Sequence, residues 1–296
     1  VFLAYWRDPT YLGAKLFLNI FGGLFIGSSF WGQGQKYSSA ALQNKLFATF
    51  MSLVLSTSLS QQLQPVFLVY RNIFEVRERP SKLYSWPVFL IGCALVEIPW
   101  NIIGGTLFWV PWYFMVGFGN EGTRAGYSWG LYMLFQLYFC GFAQAVATVA
   151  PNAMIASILF STFFSFVIVF CGVVQPPPQL PYFWRKWMYP LSPFTYIVEG
   201  MLGNAVHDKP VICEPRELNM VIPPPGQSCD SYLQPFSYPL DVTPPNPNSM
   251  GYYVQRPDGN CDVCSMRRGE DYLRSIEMNS DNRFRDLGIL CAYIAF

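Results

Sequence analysis

The stretch Trp86–Phe118 reads WPVFLIGCALVEIPWNIIGGTLFWVPWYFMVGF, and Glu97 is its one acid or base. Three further stretches, at 46–69, 127–149 and 152–174, contain no Asp, Glu, Lys or Arg. A helix crosses the hydrocarbon core of a bilayer with about 20 predominantly apolar residues. Four such stretches exceed what one soluble domain would bury, so the sequence predicts an integral membrane protein of the all-α class.

Composition limits the function classes that remain. The chain has 296 residues, of which 12% are charged and 18% aromatic, and its net charge of +1 implies no attraction to nucleic acid. A single histidine, His207, excludes a His-rich metal site, and its polar neighbours predict a solvated loop residue. The chain contains no Gly-x-x-x-x-Gly-Lys-Ser/Thr phosphate loop. We therefore expect no catalytic residue, no cofactor and no metal in this chain.

Hydropathy and turn signals predict five complete membrane helices, at about 11–31, 46–69, 84–118, 128–150 and 153–174. Prolines at positions 87, 99 and 111 predict bends in the third, because proline removes a backbone donor. Residues 286–296 read as the start of a sixth helix, and the chain opens on valine rather than methionine. We expect a fragment of a longer protein.

The short loops predict the orientation, because cytoplasmic loops of membrane proteins are enriched in Lys and Arg. The loop 70–83 contains four basic residues and is predicted to be cytoplasmic, whereas 32–44 and 119–126 contain one each and are predicted to lie outside. The N-terminus would then be cytoplasmic, and the segment 175–285 would lie outside.

The segment 175–285 has a different composition from the membrane helices. It holds most of the prolines and four of the eight cysteines, Cys213, Cys229, Cys261 and Cys264. Two disulfides are predicted, and the close pair Cys261 and Cys264 should each bond one of the distant two, although sequence leaves the connectivity open. A zinc site and a redox Cys-x-x-Cys are the alternatives. The amphipathic part at about 182–202 predicts a re-entrant helical hairpin, and the remainder an irregular structure.

Two of the predicted helices carry candidate ligand-binding residues. The second is rich in hydroxyl and amide side chains, and the fifth is rich in phenylalanine. Such polar groups either bond neighbouring helices or line a wet cavity, and phenylalanines either bind apolar ligands or face lipid. The candidates for a substrate cavity are Ser56, Thr57, Ser60, Gln61, Phe163, Phe166 and Phe170.

Two charged features have a functional and a structural interpretation. Carboxylates inside a membrane are costly and are candidates for function. Glu97 is therefore either an ion or proton site of a secondary transporter or channel, or a structural partner near the helix break at Pro99. The cytoplasmic loop is either a solvated connector or a surface that docks a cytosolic partner, through Glu75, Arg77, Glu78 and Arg79.

Several motifs, taken in order, resemble one family. They are YWRDPTY at 5–11, GLFIG at 23–27, EVRERPS at 75–81 with Ser85-Trp86, VEIPWNI at 96–102, and FCGV at 170–173 followed by LSPFTY at 191–196. With these motifs the chain resembles the second, C-terminal membrane domain of a fungal pleiotropic-drug-resistance ABC transporter of the ABCG type. The resemblance covers nearly the whole chain.

The resemblance implies an ABC-2, ABCG-type domain of six membrane helices, here with the sixth truncated, and a disulfide-stapled extracellular loop. Such transporters combine two nucleotide-binding domains with two membrane domains, and ATP and Mg²⁺ bind in the nucleotide-binding domains. They export hydrophobic drugs, and in some members lipids, across the plasma membrane. By this resemblance the partners are the nucleotide-binding domains, which contact residues 75–79, the first membrane domain, the bilayer and hydrophobic small molecules.

Overall fold

The computed structural model describes residues 2–7, 9–119, 121–234, 237–240, 251–257 and 259–295. Its α-helices, in chain order, are α1 (Phe2–Arg7), α2 (Pro9–Ser29), α3 (Ser39–Val54), α4 (Ser56–Ile73), α5 (Trp86–Val116), α6 (Gly122–Val149), α7 (Ala153–Val169), α8 (Tyr182–Leu191), α9 (Pro193–Val206), α10 (Cys229–Leu233), α11 (Gly269–Ser275) and α12 (Arg283–Ala295). Its strands are β1 (Asn219–Val221), β2 (Tyr238–Pro239), β3 (Tyr252–Gln255) and β4 (Cys261–Cys264).

Among the described residues, α2, α5 and α6 are long and apolar enough to cross a membrane, and α7 is apolar but shorter. Many large apolar side chains on these helices point away from the protein, for example Phe25, Phe114 and Ile158, which are each more than half exposed. Exposed apolar side chains on long apolar helices are typical of lipid contact. The all-α membrane architecture predicted from the sequence is confirmed.

The single helix predicted over 46–69 is wrong, because two helices, α3 and α4, meet at Leu55. The backbone of Leu55 remains near helical, with φ −59° and ψ −25°, so the break is local. Hydroxyls flank it on both sides: Ser52 donates to the Thr49 carbonyl at 2.6 Å and Thr57 to the Val54 carbonyl at 2.9 Å. Such hydroxyl-to-backbone bonds compete with the helix ladder and bend helices.

Helix α5 is continuous through Pro99 and Pro111. Prolines are tolerated inside membrane helices where neighbouring groups satisfy the freed carbonyls. The helix begins with Pro87 in its first turn, where a missing amide costs little, and ends at Gly117 in the left-handed conformation, with φ 84°. The helix therefore begins at a proline and ends at a glycine, the residues that favour these two positions.

Helices α2 and α5 form the most extensive helix pair in the molecule. A Cβ atom on Gly23 would lie only 2.5 Å from the Phe108 carbonyl oxygen, so the two backbones approach as closely as glycine allows. Small residues drive this kind of association between membrane helices, where no hydrophobic effect is available. The GLFIG motif is the point of closest contact.

The amphipathic segment predicted as one re-entrant hairpin, 182–202, separates into two unlike helices. Helix α8 has no buried residue, and it exposes Tyr182 and Phe183. Helix α9 is buried at every position except Tyr196 and packs against α3, α6 and α12. Although α9 belongs to the predicted outer segment, it is a core element of the helical bundle.

The described residues between 207 and 282 cover one end of the bundle, here called the outer end. Ile212 donates its amide to the Tyr37 carbonyl at 3.0 Å, and Lys209 pairs with Glu121 at 2.9 Å, so the two short loops predicted outside lie at this same end. The four strands form a sheet in the order β1-β4-β3-β2, with β2 and β3 parallel and the other pairs antiparallel. The sequence predicted an irregular structure here, because strands of two to four residues are too short to show an alternation of polar and apolar residues.

Two disulfides staple this segment, Cys213–Cys264 and Cys229–Cys261. Both cross-links end on β4, which is the inner strand between β1 and β3. The disulfide-stapled loop is therefore confirmed, with each member of the close cysteine pair bonded to one distant cysteine.

Candidate functional site

A polar groove of about 680 Å³ runs between α4 and α7. Gln61 and Pro65 line it from α4, and Gln61 Nε2 lies 3.5 Å from Ser161 Oγ on α7. The α7 side contributes positions spaced three and four apart, which form one face of a helix. These are Met154, Ser157, Ile158, Ser161, Thr162 and Ser165.

The hydroxyls of this α7 face are bonded within their own helix. Thr162 donates to the Ile158 carbonyl at 2.9 Å, and Ser165 donates to the Ser161 carbonyl at 2.8 Å. Their oxygens keep acceptor capacity, so the face offers hydrogen bonds without stranding a donor in an apolar environment. An apolar ligand with a few polar groups fits such a wall.

The predicted cavity residues divide among several surroundings. Gln61 lines the groove and Ser60 is buried, whereas Phe163 and Phe166 are half exposed on another face of α7. Phe170 stacks on Trp184 with ring centroids 4.8 Å apart. Thr57 of α4 donates to the carbonyl of Val54, the last residue of α3, and the side chain of Ser56 lies outside the described part of the chain.

Sequence reasoning missed the α7 hydroxyls, although their spacing in the sequence carried the signal. Serines recur every four residues along α7, at Ser157, Ser161 and Ser165. They therefore lie on one face of the helix, which faces Gln61 across the groove. Two other phenylalanines of this helix, Phe160 and Phe164, which were not candidates for the cavity, pack into the core.

Glu97 forms a buried charged cluster that joins α2 to α5. Its Oε2 lies 2.5 Å from Lys15 Nζ, and its Oε1 accepts from the Tyr11 hydroxyl at 2.9 Å. Glu97 and Lys15 are 1% and 5% exposed. Both carboxylate oxygens therefore have a partner, and the cation neutralises the charge in place. This arrangement favours the structural interpretation of Glu97 over an ion-binding site.

At the inner end of the bundle, opposite residues 207–282, Arg71 caps the C-terminus of α6. Its Nη1 donates to the carbonyls of Ala147, Thr148 and Ala150 at 2.9, 3.1 and 2.8 Å. These carbonyls have no partner within the helix, and a cation complements the negative end of the helix dipole. Arg71 is the last-turn arginine of α4, so it fixes the end of α4 to the end of α6.

A second link holds the same end of α4. The helix continues as one π-helical turn, Phe74–Glu78, in which the Arg79 amide bonds the Phe74 carbonyl at 2.8 Å. Phe74 is fully buried and stacks on Phe89 of α5 with ring centroids 4.9 Å apart. A π-helical turn places an extra residue in the helix and frequently occurs at functional sites.

The predicted docking residues surround this buried link. Glu75, Arg77 and Arg79 are exposed, Glu78 is half buried, and the neighbouring Val76 is 80% exposed. The turn thus presents a charged surface with an exposed apolar residue at its centre, and it is rigidly backed by Phe74. Glu78 also accepts a hydrogen bond from the Tyr84 hydroxyl.

At the outer end, Glu217 reaches from the stapled segment to the start of α3. It accepts from the amides of Ser39 and Ala40 at 3.1 and 2.7 Å, and from its neighbour Glu214 at 3.0 Å. Burial acts to raise the pKa of Glu217, but these amide donors outweigh it and the pKa is lowered. The pKa of Glu121 is also lowered, by its hydrogen bond to Lys209 first and by Arg124 second.

The described residues include one group close enough to hold a metal ion, namely His207, Asp208 and Glu270. The two ring nitrogens of His207 face different acids, with Nε2 lying 3.1 Å from Asp208 and Nδ1 lying 3.2 Å from Glu270. The imidazole of His207 thus lies between two acidic side chains at the outer end.

These observations define the chain as a multi-pass helical membrane domain with a stapled outer segment. Residues 1–206 match the family described as ABC-2 type transporter. The chain belongs to the ABC-2 type transporter membrane family.

The most similar relatives include fungal transporters. The chain is 42% identical to a protein named Brefeldin A resistance protein from Schizosaccharomyces pombe, over 100% of this chain and 19% of that protein. It is 37% identical to an ABC multidrug transporter SNQ2 from Candida glabrata, over 99% of the chain and 19% of the relative. A protein SNQ2 from Saccharomyces cerevisiae is 34% identical, over the same two shares. The chain thus spans about a fifth of the length of these relatives.

Proposed function

We propose that this chain is one membrane domain of an ATP-driven exporter that moves hydrophobic drugs or other xenobiotics out of the cell across the plasma membrane. Membership of the ABC-2 family and relatives whose names include multidrug transporter and Brefeldin A resistance support the proposal. The observation that carries it is that α4 contributes Gln61 to a polar groove and ends, after Ile73, in the exposed turn Phe74–Glu78.

The energy for export would come from outside this chain. The nucleotide-binding domains of the parent protein would bind ATP and Mg²⁺, and this chain would supply no catalytic residue. Its partners would be those domains at the turn Phe74–Glu78 and the first membrane domain of the same polypeptide along the groove. The short share of each relative that the chain covers supports the presence of such further domains.

Movement of the docking turn would pass into the bundle through two fixed points. Arg71 would transmit it to α6, whose terminal carbonyls it holds, and Phe74 would transmit it to α5 through Phe89. The break at Leu55 would allow α4 to tilt while α3 stays fixed to the outer segment. The groove between α4 and α7 would then change its width as the nucleotide-binding domains close.

Substrate choice in the groove would rest on shape and apolar contact. Met154 and Ile158 provide apolar surface, while the serine hydroxyls and Gln61 provide a few hydrogen bonds. A wall of this kind rejects few ligands strongly, because an apolar pocket discriminates weakly between molecules of similar size. A broad range of hydrophobic drugs, or of lipids, is the expected consequence.

The alternative of a secondary transporter or channel driven through Glu97 is not favoured. The carboxylate is 1% exposed and has Lys15 and Tyr11 as partners on its two oxygens. A coupling ion would have to displace the lysine.

The test is drug accumulation in cells that carry the full-length parent, with Arg77→Ala and Arg79→Ala compared against Arg274→Ala. All three arginines are exposed, but Arg274 lies on α11 at the outer end. We expect the two inner variants to reach the surface and hydrolyse ATP while losing efflux, and the outer variant to export normally. Equal accumulation in cells with and without the wild-type protein, across a broad drug panel, contradicts multidrug export.

A further inference from the structure

A buried pair of carboxylates lies where the start of α12 packs against α9, near the outer end of the bundle. Glu199 of α9 is 5% exposed and Asp286 of α12 is 0% exposed. Both form an ion pair with Arg285, whose Nη2 lies 3.2 Å from Glu199 Oε2 and 3.0 Å from Asp286 Oδ1. Two buried negative charges therefore share one positive charge, and the side chain of Arg285 is itself half exposed.

The other charged and titratable groups around the pair do not supply the missing positive charge. Within the described part of the chain, Arg283 forms no ion pair with either carboxylate, and the nearby Glu277 pairs with Arg185. The hydroxyls of Tyr127 on α6 and Tyr196 on α9 donate to backbone carbonyls rather than to a carboxylate. The dipole at the start of α12 is equivalent to only about half an elementary charge.

The two carboxylates differ in their hydrogen bonds. Glu199 accepts from the Asn279 amide at 2.9 Å and from Asn282 Nδ2 at 2.8 Å. Since it also accepts from Arg285, both of its oxygens have donors, which favours its charged form. Asp286 Oδ1 accepts from Arg285, but Asp286 Oδ2 is buried without a partner among the described residues. A water molecule could bond this oxygen but would not remove the charge.

A buried charge without a counter-ion is so costly that the group usually becomes neutral instead. Asp286 is already enclosed where α12 packs against α6 and α9, so its side chain is reached only by something small. A cavity of about 350 Å³ lies beside the pair, and Glu199 and Arg285 line it. Glu277 and Asn282 also line it, and Glu277 is exposed at the outer end. These polar groups form a route along which a proton can reach the pair from the outer end.

We propose that Glu199 and Asp286 form a proton-binding site, in which the proton resides on Asp286 and enters from the outer end through this cavity. With the proton bound, one negative charge remains and Arg285 neutralises it. Loss of the proton leaves two buried negative charges on one cation, which loosens the packing of α12 against α9. The contact between these helices therefore responds to the pH of the medium at the outer end. The site is independent of the groove and of drug export.

The first test is infrared difference spectroscopy on the purified full-length parent, because a protonated carboxyl has a C=O stretching band that a carboxylate lacks. At neutral pH the wild type should show a band that is lost in Asp286→Asn and kept in the control Asp281→Asn. Asp281 is exposed in the turn before α12, so it is a matched control for removal of one acid.

The second test is thermal denaturation of the same proteins from about pH 5 to about pH 8. The folded protein would keep this proton, whereas the unfolded chain releases it above about pH 3.9, the ordinary pKa of aspartate. The wild type should therefore lose stability relative to Asp286→Asn as the pH rises, by up to about tenfold in the unfolding equilibrium constant per pH unit. Asp281→Asn should follow the wild type.

Three results overturn the proposal. They are an infrared spectrum at neutral pH that Asp286→Asn leaves unchanged, a stability difference between the wild type and Asp286→Asn that does not vary with pH, and stabilisation of the wild type by sodium or potassium ions in place of protons. The third would mean that a metal cation balances the charge. Should Asp286→Asn fail to reach the membrane, Glu199→Gln decides the outcome. This variant removes the neighbouring negative charge, so the band should disappear at a lower pH than in the wild type, and an unchanged midpoint contradicts a shared site.

Discussion

Removing one member of the Lys15–Glu97 pair should cost far more than removing both. Lys15→Met leaves a carboxylate that is 1% exposed without its cation, 2.5 Å from where Nζ was. Breaking a buried ion pair in this way costs about 3–5 kcal/mol. In the double variant Lys15→Met, Glu97→Leu no charge remains buried, and such apolar replacement is often neutral or stabilising by about 1–4 kcal/mol.

The assay is a double-mutant cycle on the solubilised full-length parent, with thermal denaturation and surface expression as readouts. Both single variants should lose stability, and the double variant should regain most of it. Tyr11→Phe removes one hydrogen bond to the carboxylate and should cost about 1.5–3 kcal/mol. The expected order of stability is wild type, Tyr11→Phe, Lys15→Met, because Tyr11→Phe removes one hydrogen bond and keeps the ion pair, whereas Lys15→Met leaves a buried charge without its partner.

A structural role for the Lys15–Glu97 pair is contradicted if Lys15→Met is as stable as the wild type, or if the double variant is no more stable than either single variant. It is also contradicted if Glu97→Gln is fully stable while transport loses a dependence on a proton or cation gradient. That last result would restore Glu97 as a coupling site, because a structural carboxylate has no reason to change the energy source.

Three further changes test contacts at other places in the bundle. Gly23→Ala places a Cβ atom 2.5 Å from a carbonyl oxygen of α5 and should lower the stability by about 1–3 kcal/mol. Gly13→Ala on the same helix meets no atom within 4 Å and should raise the stability by up to about 1 kcal/mol. Thermal denaturation measures both effects. Arg71→Met removes the cap on α6 and should cost about 3 kcal/mol by the same measurement, while the exposed Arg77→Met stays within about 0.5 kcal/mol. Because the pKa of Glu217 is lowered in the folded protein, its carboxylate stabilises the fold. This stabilisation is fully present above the ordinary carboxylate pKa of about 4.3 and is lost as the pH falls through the lower folded pKa. Hydrogen exchange at the start of α3 should therefore quicken on acidification below about pH 4 in the wild type and be fast and pH-independent, after correction for intrinsic exchange, in Glu217→Gln.

The sequence identified Glu97 as unusual but could not identify its partner. An isolated carboxylate in an apolar stretch can be recognised from the sequence, because burying its charge in lipid is energetically unfavourable in any membrane protein. Lys15 lies near the start of the first predicted membrane helix, a position from which a lysine side chain can also reach the head groups. Its position beside Glu97 depends on the pairing of α2 with α5, which the Gly23 contact fixes and no local pattern encodes.

Helix α9 shows why the outer segment was harder to predict than the membrane helices. Its sequence, PFTYIVEGMLGNAV, mixes Gly, Asn and Glu with apolar residues, and most of it falls in the stretch predicted as an amphipathic re-entrant hairpin rather than as a buried helix. The structure buries Glu199 by giving it donors from Asn279, Asn282 and Arg285 at the start of the sixth helix. Burial of polar groups becomes possible only with such partners, and these lie about 80 residues further along the chain.

The fifth predicted membrane helix, α7, shows that the position of a residue around the helix axis matters more than the composition of the helix. Phenylalanine dominates the composition of α7, and composition alone leaves open whether these side chains bind an apolar ligand or face lipid. Residues of α7 lie on three different faces of the helix. Phe160 and Phe164 face the core, Phe163 and Phe166 are exposed, and the serines face the groove. Gln61 of α4, which the sequence indicated, has its counterpart on the serine face of α7, where Ser161 Oγ lies 3.5 Å from Gln61 Nε2. In the proposed export path, the groove would therefore be lined by Gln61 and the α7 hydroxyls, with Met154 and Ile158 as its apolar surface.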